Sequence, residues 1–245
     1  MTSQDPTHAR MFDVLDATWA PNSRRSVGDW IIREGCGGGS RVSAASWHGT
    51  NADTADVEKA EQAMEKIGQV PLFMLRPGQN ALDHRLQLTG YELIAPVRMM
   101  AAPSAAVAND VDLGHTVIPC TPILALQIDI WKQGGIGAPR IDVMNRVRCQ
   151  KTALLARSGQ DPVGTVFVAI HKGVAMIHAL EVLSRYRRKG HGYRITKAAA
   201  AWALGLGAHT ISLLVTREND AAIALYETAG FHDVASYHYR IKRVA

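Results

Sequence analysis

The chain has 245 residues and a formal net charge of +5, and its 47% hydrophobic and 20% charged residues are typical of a globular protein with a buried core. Its apolar runs, such as residues 163–170, are far shorter than the roughly 20 residues of a membrane span, and residues 1–10 do not resemble a signal peptide, so we expect a cytoplasmic protein that does not bind membranes. The three cysteines are far apart and form no CxxC pair, which indicates neither a metal site nor a disulfide framework.

The first hundred residues predict a weakly patterned series of helices and strands. Helices are expected over residues 9–19, 55–67 and 81–89, and strands over residues 29–33, 41–47, 71–75 and 91–99. A glycine-rich segment, residues 35–40, is interpreted as a flexible turn between the first two strands. Residues 101–110 have the composition of a linker, so we place a boundary between about residues 101 and 115. This predicts one domain over residues 1–105 and a second over residues 115–245.

The second half shows a clearer pattern. A helix over residues 121–133 is followed by a polar stretch with little pattern that ends near Cys149. Strands over residues 151–156, 164–171 and 175–182 are separated by turn residues and predict an antiparallel meander. A long helix then runs from about Gly190 to residues 205–207, and its expected buried stripe is Ile195, Ala198, Trp202 and Leu206. A strand (209–215), a helix (219–229) and a strand (233–241) complete the series.

A basic loop containing two glycines joins the third meander strand to the long helix. The basic side chains within residues 185–194 are Arg185, Arg187, Arg188, Lys189, His191 and Arg194, and they are interleaved with Gly190 and Gly192. Backbone N–H groups at the start of a helix lack intrahelical partners, and glycines let a phosphate approach them. This compact cluster suits a phosphate group better than an extended nucleic acid. Spacing alone does not separate phosphate binding from an ordinary basic helix cap.

Two segments in this half resemble the hallmarks of the GNAT superfamily of N-acetyltransferases. Arg187-x-x-Gly190-x-Gly192 matches the signature Arg/Gln-x-x-Gly-x-Gly/Ala, and residues 219–231 look like Asn-x-x-Ala-x-x-Leu-Tyr followed by Gly-Phe. The resemblance covers roughly residues 115–245. It implies an α/β (α+β) fold with a mixed, mostly antiparallel central sheet flanked by helices, which is the acyl-CoA N-acyltransferase fold, here in two tandem copies. It also implies acetyl-CoA as the acetyl donor, with no metal.

The resemblance assigns roles to individual residues. The residues implied to hold the CoA pyrophosphate through main-chain amides or positive charge are Arg187, Arg188, Lys189, Gly190, His191, Gly192 and Tyr193. Unpaired backbone groups near Val182 and Leu183 are implied to bind the pantetheine arm as an added strand would, and Asn219 is implied to contact the same arm. Tyr226 matches the position of the general acid that protonates the departing thiolate, although a core aromatic on an amphipathic helix is the alternative interpretation.

The general base and the acceptor stay open at this point. His178 and Glu181 lie on the strand before the loop and are the nearest candidates for the base, with water and simple structural roles as alternatives. Residues 237–239 on the last strand either line the acceptor site or reflect strand propensity. Residues 134–149, which are expected to influence acceptor choice, carry mixed charges that are diagnostic of no particular amine.

The first half resembles a degenerate copy of the second. Residues 82–91 echo the helix–glycine–aromatic part of the second hallmark, but no Arg-x-x-Gly-x-Gly occurs between residues 46 and 70. Tandem GNAT proteins exist in which only the carboxy-terminal copy keeps its cofactor loop. We therefore expect the first half to bind no acetyl-CoA and to shape the acceptor cleft.

The sequence favours one function among three. The leading hypothesis is acetyl transfer from acetyl-CoA to a primary amine of a small molecule or peptide, by direct attack of the amine. The alternative is a non-catalytic CoA-binding regulatory module, which would not require an acid at Tyr226. A nucleic-acid-binding module would depend on the basic cluster alone, so we expect no nucleic-acid partner. The oligomeric state, including a homodimer, is left open.

Overall fold

The computed structural model describes residues 8–109 and 116–242. Residues 8–109 form five helices, five strands and a 3₁₀ turn at Ala52–Thr54. The helices are α1 (His8–Thr18), α2 (Ser40–Ser43), α3 (Val57–Glu65), α4 (Asn80–Leu88) and α5 (Ser104–Ala108). The strands are β1 (Ser23–Val27), β2 (Trp30–Glu34), β3 (Ala45–Trp47), β4 (Leu72–Leu75) and β5 (Glu92–Pro103).

Residues 116–242 contain six strands, four helices and a 3₁₀ turn at Ser184–Tyr186. The strands are β6 (Val117–Cys120), β7 (Gln150–Ser158), β8 (Asp161–His171), β9 (Val174–Val182), β10 (Thr210–Thr216) and β11 (His232–Ile241). The helices are α6 (Ala125–Gln133), α7 (Ala138–Arg146), α8 (His191–Gly205) and α9 (Asp220–Thr228).

Several predicted elements are wrong in type or extent. The strand expected over residues 41–47 is the short helix α2 followed by three residues of β3, and the strands β1 and β6 and the helix α7 were not foreseen. The start of the expected linker continues β5 as far as Pro103, because Ala101 and Ala102 are buried between two neighbouring strands. Residues 110–115 of that linker lie outside the described residues. Leu206 is exposed, and alanines of α8 provide most of its buried face instead.

The eleven strands described here form one sheet in the order β1-β2-β3-β4-β11-β5-β10-β9-β8-β7-β6. Neighbouring strands are antiparallel except for the pairs β3–β4 and β9–β10, which are parallel. The antiparallel meander β7–β8–β9 is confirmed. The molecule therefore has the mixed, mostly antiparallel sheet with flanking helices that the sequence predicted.

The order of the strands is nearly symmetric about the central antiparallel pair β5–β11. From this pair outward, β4 matches β10, β3 matches β9, β2 matches β8 and β1 matches β7, which leaves β6 as an extra edge strand. The helix before each central strand is followed by a glycine with positive φ and a buried aromatic residue, Gly90 and Tyr91 after α4 and Gly230 and Phe231 after α9. This arrangement is expected of two copies of one unit. Each copy places its last strand between strands of the other.

Helix α1 belongs to the first half and packs against strands of the second half near the centre of the sheet. Its buried side chains Met11, Phe12 and Leu15 belong to a core cluster that also contains Phe167 of β8 and Met176 of β9. Helix α8 covers the opposite face with a run of small buried side chains, which lets its backbone approach the sheet closely. The sheet is thus continuous across the predicted boundary, and the division into residues 1–105 and 115–245 stays a prediction.

Candidate active site

The parallel strands β9 and β10 separate halfway along their length. They pair from Val174 and Thr210 to Ile177 and Leu213, and beyond this point β9 continues beside β8 while β10 continues beside β5. Ala179 adopts a positive φ of 52°, and the register with β8 shifts there, as in a β-bulge. A left-handed conformation costs a non-glycine residue about 1–2 kcal/mol, and such strain is concentrated at functional sites. The result is a wedge-shaped gap between β9 and β10, in which β9 no longer pairs with β10.

The loop after β9 presents a row of free amides at the start of α8. Arg188 has a φ of 62° and Gly190, the N-cap of α8, has a φ of 78° and provides no side-chain cap. The first intrahelical bond described runs from the N–H of Arg194 to the carbonyl oxygen of Gly190. Within the described part of the chain, the amides of residues 188–193 donate to no protein acceptor. With the positive end of the helix dipole, they form a site for an anion.

The two glycines of this loop serve different purposes. Gly190 is required by its left-handed backbone and not by lack of space, because nothing lies within 4 Å of the position that a Cβ atom would take. Gly192 is required by space, because a Cβ atom there would lie 2.8 Å from Cδ1 of Leu225 in α9. The first turn of α8 and the helix α9 therefore approach each other closely beside the free amides.

A cavity of about 690 Å³ lies between the loop, the start of α8 and α9. This volume falls within the roughly 300–1,000 Å³ of small-molecule sites. The predicted cofactor residues that line it are Val182, Arg187, Arg188, Gly190, His191, Gly192, Tyr193 and Asn219. Lys189 does not line it, although its ammonium lies 5.7 Å from the ring centroid of Tyr186, which does. The fold thus gathers most of the predicted set around one cavity large enough for part of a nucleotide-bearing ligand.

Two backbone groups that were expected to be free are in use. The N–H of Leu183 donates to the carbonyl oxygen of Val163 at 2.9 Å. The carbonyl oxygen of Val182 accepts from Nε of Arg187 at 2.9 Å, and the same guanidinium forms a 2.8 Å ion pair with Glu181. The expectation of unpaired groups at these positions is wrong for these two atoms. The part of β9 without a register partner on β8 is the bulge at Ala179 and Leu180, where the carbonyl oxygen of Ala179 accepts from Nε1 of Trp131 at 2.7 Å. The contacts of Arg187 fix the loop after the strand.

A second cavity of about 230 Å³ continues from the first into the wedge and shares Leu180, Asn219 and Ala222 with it. Tyr226 lines this second cavity with its ring buried, and burial raises the pKa of its hydroxyl to about 12. Among the described residues, none exchanges a hydrogen bond with that hydroxyl, so it is available to a ligand. Oδ1 of Asn219 accepts from the N–H of Ala222 at 3.1 Å, which fixes the start of α9 beside the cavity.

His178 is a buried, neutral imidazole in the wall of the second cavity. Its Nε2 lies 2.9 Å from Oγ1 of Thr18, which itself donates to the carbonyl oxygen of Val14. Nε2 therefore carries the hydrogen and Nδ1 is the acceptor, facing Nη1 of Arg41 at 3.3 Å. Burial and the charge of Arg41 hold the pKa of His178 well below its ordinary value. Glu181, the other base candidate, is paired with Arg187 and lines the first cavity instead.

A third cavity of about 190 Å³ opens on the far side of the wedge. It shares Arg41 and residues 214–216 with the second cavity, so the three cavities form a row. Tyr237 and Tyr239 line it, whereas His238 on the opposite face of β11 forms a 2.7 Å hydrogen bond with Asp83.

Both halves of the chain contribute to this third cavity. Its lining residues from the first half are Trp19, Gly38, Gly39, Ser40, Arg41, Ala95 and Val97. Arg140 lies within residues 134–149, which were expected to influence acceptor choice, but sequence reasoning missed Trp19 and Arg41. The only local signal for them was the glycine-rich segment at residues 35–40, which was interpreted as a flexible turn.

The corresponding loop of the first half is closed to anions. The N-cap of α3 is Asp56, whose carboxylate accepts from the N–H of Lys59 at 3.0 Å, and Glu58 adds a second negative charge in the first turn. A cavity of about 330 Å³ near this loop has Asp53 in its lining and no lysine or arginine. An acidic side chain therefore occupies the place that a phosphate takes at a helix start.

Comparisons with known proteins agree with this geometry. The Acetyltransferase (GNAT) family model matches residues 127–231. An uncharacterized N-acetyltransferase, YobR of Bacillus subtilis (strain 168), is 24% identical over 236 residues, which cover 93% of this chain and 95% of that protein. A GCN5-related N-acetyltransferase from Kribbella flavida has a similar structure, with a TM-score of 0.76 at 17% identity over 97% of this chain and 96% of the other. A tandem GNAT protein from the clavulanic acid biosynthesis pathway gives a TM-score of 0.61 at 11% identity, over 99% of this chain and 91% of the other. Residues 127–231, which contain the candidate site, are thus similar to the GNAT acetyltransferase family, and the whole chain is similar in fold to N-acetyltransferases of that family.

Across residues 8–109 and 116–242, no helix combines the length and apolar character needed to cross a bilayer. The same residues contain no group of three or more His, Cys, Asp and Glu side chains placed to hold a metal ion.

Proposed function

We propose that the protein transfers the acetyl group of acetyl-CoA to a primary amine of a small molecule or peptide. The observation that carries this proposal is the row of three cavities, which leads from an anion-binding helix start, past a buried tyrosine hydroxyl, to a second opening. Acetyl-CoA supplies the acetyl group as a thioester. Its diphosphate fits the free amides of residues 188–193, and its extended arm fits the unpaired edge of β9.

The residues of the second cavity provide the proton transfers of a direct reaction. The nitrogen of the amine forms a bond to the carbonyl carbon as the carbon–sulfur bond breaks. Tyr226 donates its hydroxyl hydrogen to the departing sulfur, because its high pKa keeps it protonated at neutral pH. The acceptor must lose a proton to water or to Nδ1 of His178, which would have to exchange its hydrogen bond with Nη1 of Arg41 for one with the amine. Backbone N–H groups of the bulged strand would stabilise the negative charge that develops on oxygen. No cysteine lines any of the three cavities, which supports direct attack.

The two halves take different roles in this proposal. Residues 115–245 provide the donor site, whereas residues 1–105 form a degenerate copy that binds no acetyl-CoA and completes the acceptor cleft. The carboxylate of Asp56 at the start of α3 supports the absence of acetyl-CoA binding in the first half. Arg41 in the acceptor cavity supports the contribution of the first half to the acceptor cleft.

The test is a screen of amino acids, polyamines, peptides and aminoglycosides with acetyl-CoA, in which free thiol is measured. Acceptor-dependent thiol release that is reduced in Tyr226→Phe supports the proposal. Tight binding of acetyl-CoA without thiol release for any amine would instead support a non-catalytic CoA-binding regulatory module. The Tyr226 hydroxyl facing the cavity argues against that alternative, because binding alone does not require an acid.

A further inference from the structure

The acceptor cavity contains two guanidinium groups that no carboxylate neutralises. Arg41 and Arg140 both line it. Across the described ranges, no ion pair joins either of them to an acidic side chain, whereas Arg33, Arg187 and Arg240 each pair with one. Partial desolvation of this exposed side chain and, second, the charge of Arg41 lower the pKa of Arg140, as expected for neighbouring like charges. The cavity therefore has an uncompensated positive potential.

Both arginines have unused hydrogen-bond donors. The guanidinium carbon of Arg41 lies 5.4 Å from the ring centroid of Trp19, and only Nη1 contacts His178. The guanidinium of Arg140 lies beside Gly39, where Nε and Nη2 are 3.6 Å from the position of a Cβ atom. A guanidinium presents five N–H donors in a planar fork that matches a carboxylate or phosphate.

The hydroxyl of Tyr237, which accepts from the hydroxyl of Tyr239 at 3.4 Å, can also donate to an anion. Tyr237 and Tyr239 are buried, and burial raises the pKa of both hydroxyls, so they stay protonated and neutral. His178, which faces Arg41 from the second cavity, is neutral as well. The residues that line this opening therefore include two cations and no acidic side chain. Asp16, whose charge also acts on Tyr237, is paired with Arg24 and Arg33. A polyamine, which carries only positive charge, is a poor fit.

The order of the cavities determines how the acceptor is oriented in the cleft. Tyr226 lines the second cavity and not the third, Arg140 lines the third and not the second, and Arg41 lines both. The third cavity has a volume of about 190 Å³, less than the roughly 300 Å³ at the lower end of drug-sized sites, so the group that enters it is small.

We propose that the acceptor is a small primary amine that also carries an anionic group, a carboxylate or a phosphate, which Arg41 and Arg140 bind at the end of the cleft away from Tyr226. This inference depends on the proposed acetyl transfer, because it names the class of acceptor for that reaction. The amine then points toward the thioester, and the first half of the chain provides recognition of the anion through Arg41.

The experiment uses the full chain and matched acceptors that share one carbon skeleton. Each ω-amino carboxylate is compared with its neutral carboxamide and with the corresponding aminoalkylphosphonate, and thiol release gives kcat/KM. The anionic acceptors should exceed the carboxamide by about 10- to 100-fold, as expected for charge-assisted hydrogen bonds. Whichever of the carboxylate and the phosphonate has the higher kcat/KM identifies the anionic group that the two arginines prefer.

The variant Arg140→Gln tests the assignment, because Arg140 is an exposed residue on α7 whose replacement leaves the core intact. It should remove most of the preference for anionic acceptors, measured as the ratio of kcat/KM between acid and carboxamide, while KM for acetyl-CoA stays within about threefold of wild type. Arg41→Gln should have the same effect on preference. Arg148→Gln, an exposed position outside the cavity with the same change in charge, is the control and should keep the preference.

Failure of this inference is distinguishable from failure of the proposed function. If amines are acetylated but carboxamides or polyamines react as well as the acids, or if both arginine variants keep the preference, the inference is wrong. If no amine is acetylated, the proposed function fails, and calorimetry with N-acetylated acids and N-acetylated amides in the presence of CoA tests the anion site directly. Acid binding that weakens about tenfold or more in Arg140→Gln supports it, and equal or absent binding of acids and amides overturns it.

Discussion

Removal of the Tyr226 hydroxyl should slow turnover and leave donor binding almost unchanged. The ring of Tyr226 is buried beside Phe231, at a centroid distance of 5.8 Å, and a phenylalanine fills the same space. General acid catalysis contributes about 10²- to 10⁴-fold, and a hydrogen bond to a charged group about 1.5–3 kcal/mol. A loss of about 100-fold in kcat, which corresponds to about 2.7 kcal/mol, is therefore the expected result for Tyr226→Phe.

The assay measures kcat and KM for acetyl-CoA from thiol release, together with thermal unfolding. KM should change by less than about threefold, and the melting temperature should change little, because no described residue bonds to the lost hydroxyl. Tyr91→Phe is the matched control: Tyr91 follows Gly90 in the first half and donates to Glu61, so this variant should lose about 1 kcal/mol of stability and keep kcat. Unchanged kcat in Tyr226→Phe would refute the acid assignment.

Three further results are expected. Gly192→Ala places a methyl group against Leu225 beside the free amides and should raise KM for acetyl-CoA about tenfold with little change in kcat, whereas Gly205→Ala, in open space on the same helix, should leave both constants unchanged. Calorimetry of the full chain should give one acetyl-CoA site per chain, and two sites would contradict the account of the first half. Asp83→Asn, which removes the partner of Arg240, should lower the free energy of unfolding by about 2 kcal/mol at neutral pH in urea titrations.

The pH dependence of that last effect follows from the lowered pKa of Asp83. The hydrogen bond from Arg240 is the largest cause of the shift, so the folded-state pKa lies below the unfolded value of about 3.9. The stabilisation is therefore fully present above the unfolded pKa and is lost as the pH falls through the folded pKa. The difference between wild type and Asp83→Asn should disappear in strong acid. A difference that stays constant down to about pH 2 would contradict this explanation.

The donor side of the site could be predicted because its determinants are local in the sequence. A helix start with free amides requires only the run from Arg187 to Tyr193, and the second hallmark is one cap, one helix and one turn. The same locality explains why the turn after α4 was recognised as an echo of the turn after α9. Hydrogen bonds from Arg187 and Leu183 to neighbouring strands were not predictable, because they depend on how the loop folds back onto β8 and β9.

Most of the acceptor side could not be predicted, because its residues come together only through the sheet. Trp19, Arg41 and Arg140 are far apart in the sequence, and they meet because α1, α2 and α7 cover one face near the wedge. The extension of β5 into the expected linker has the same kind of cause. Small residues that resemble a linker by composition are buried there between β10 and β11.

The central claim is that the start of α8 binds the diphosphate of the acetyl donor. A crystal structure of the full chain with CoA tests it most directly. The account predicts diphosphate oxygens within hydrogen-bonding distance of the amides of residues 188–193, with the arm of CoA along the wedge between β9 and β10. CoA bound in the first half, or bound with its diphosphate away from these amides, would contradict it.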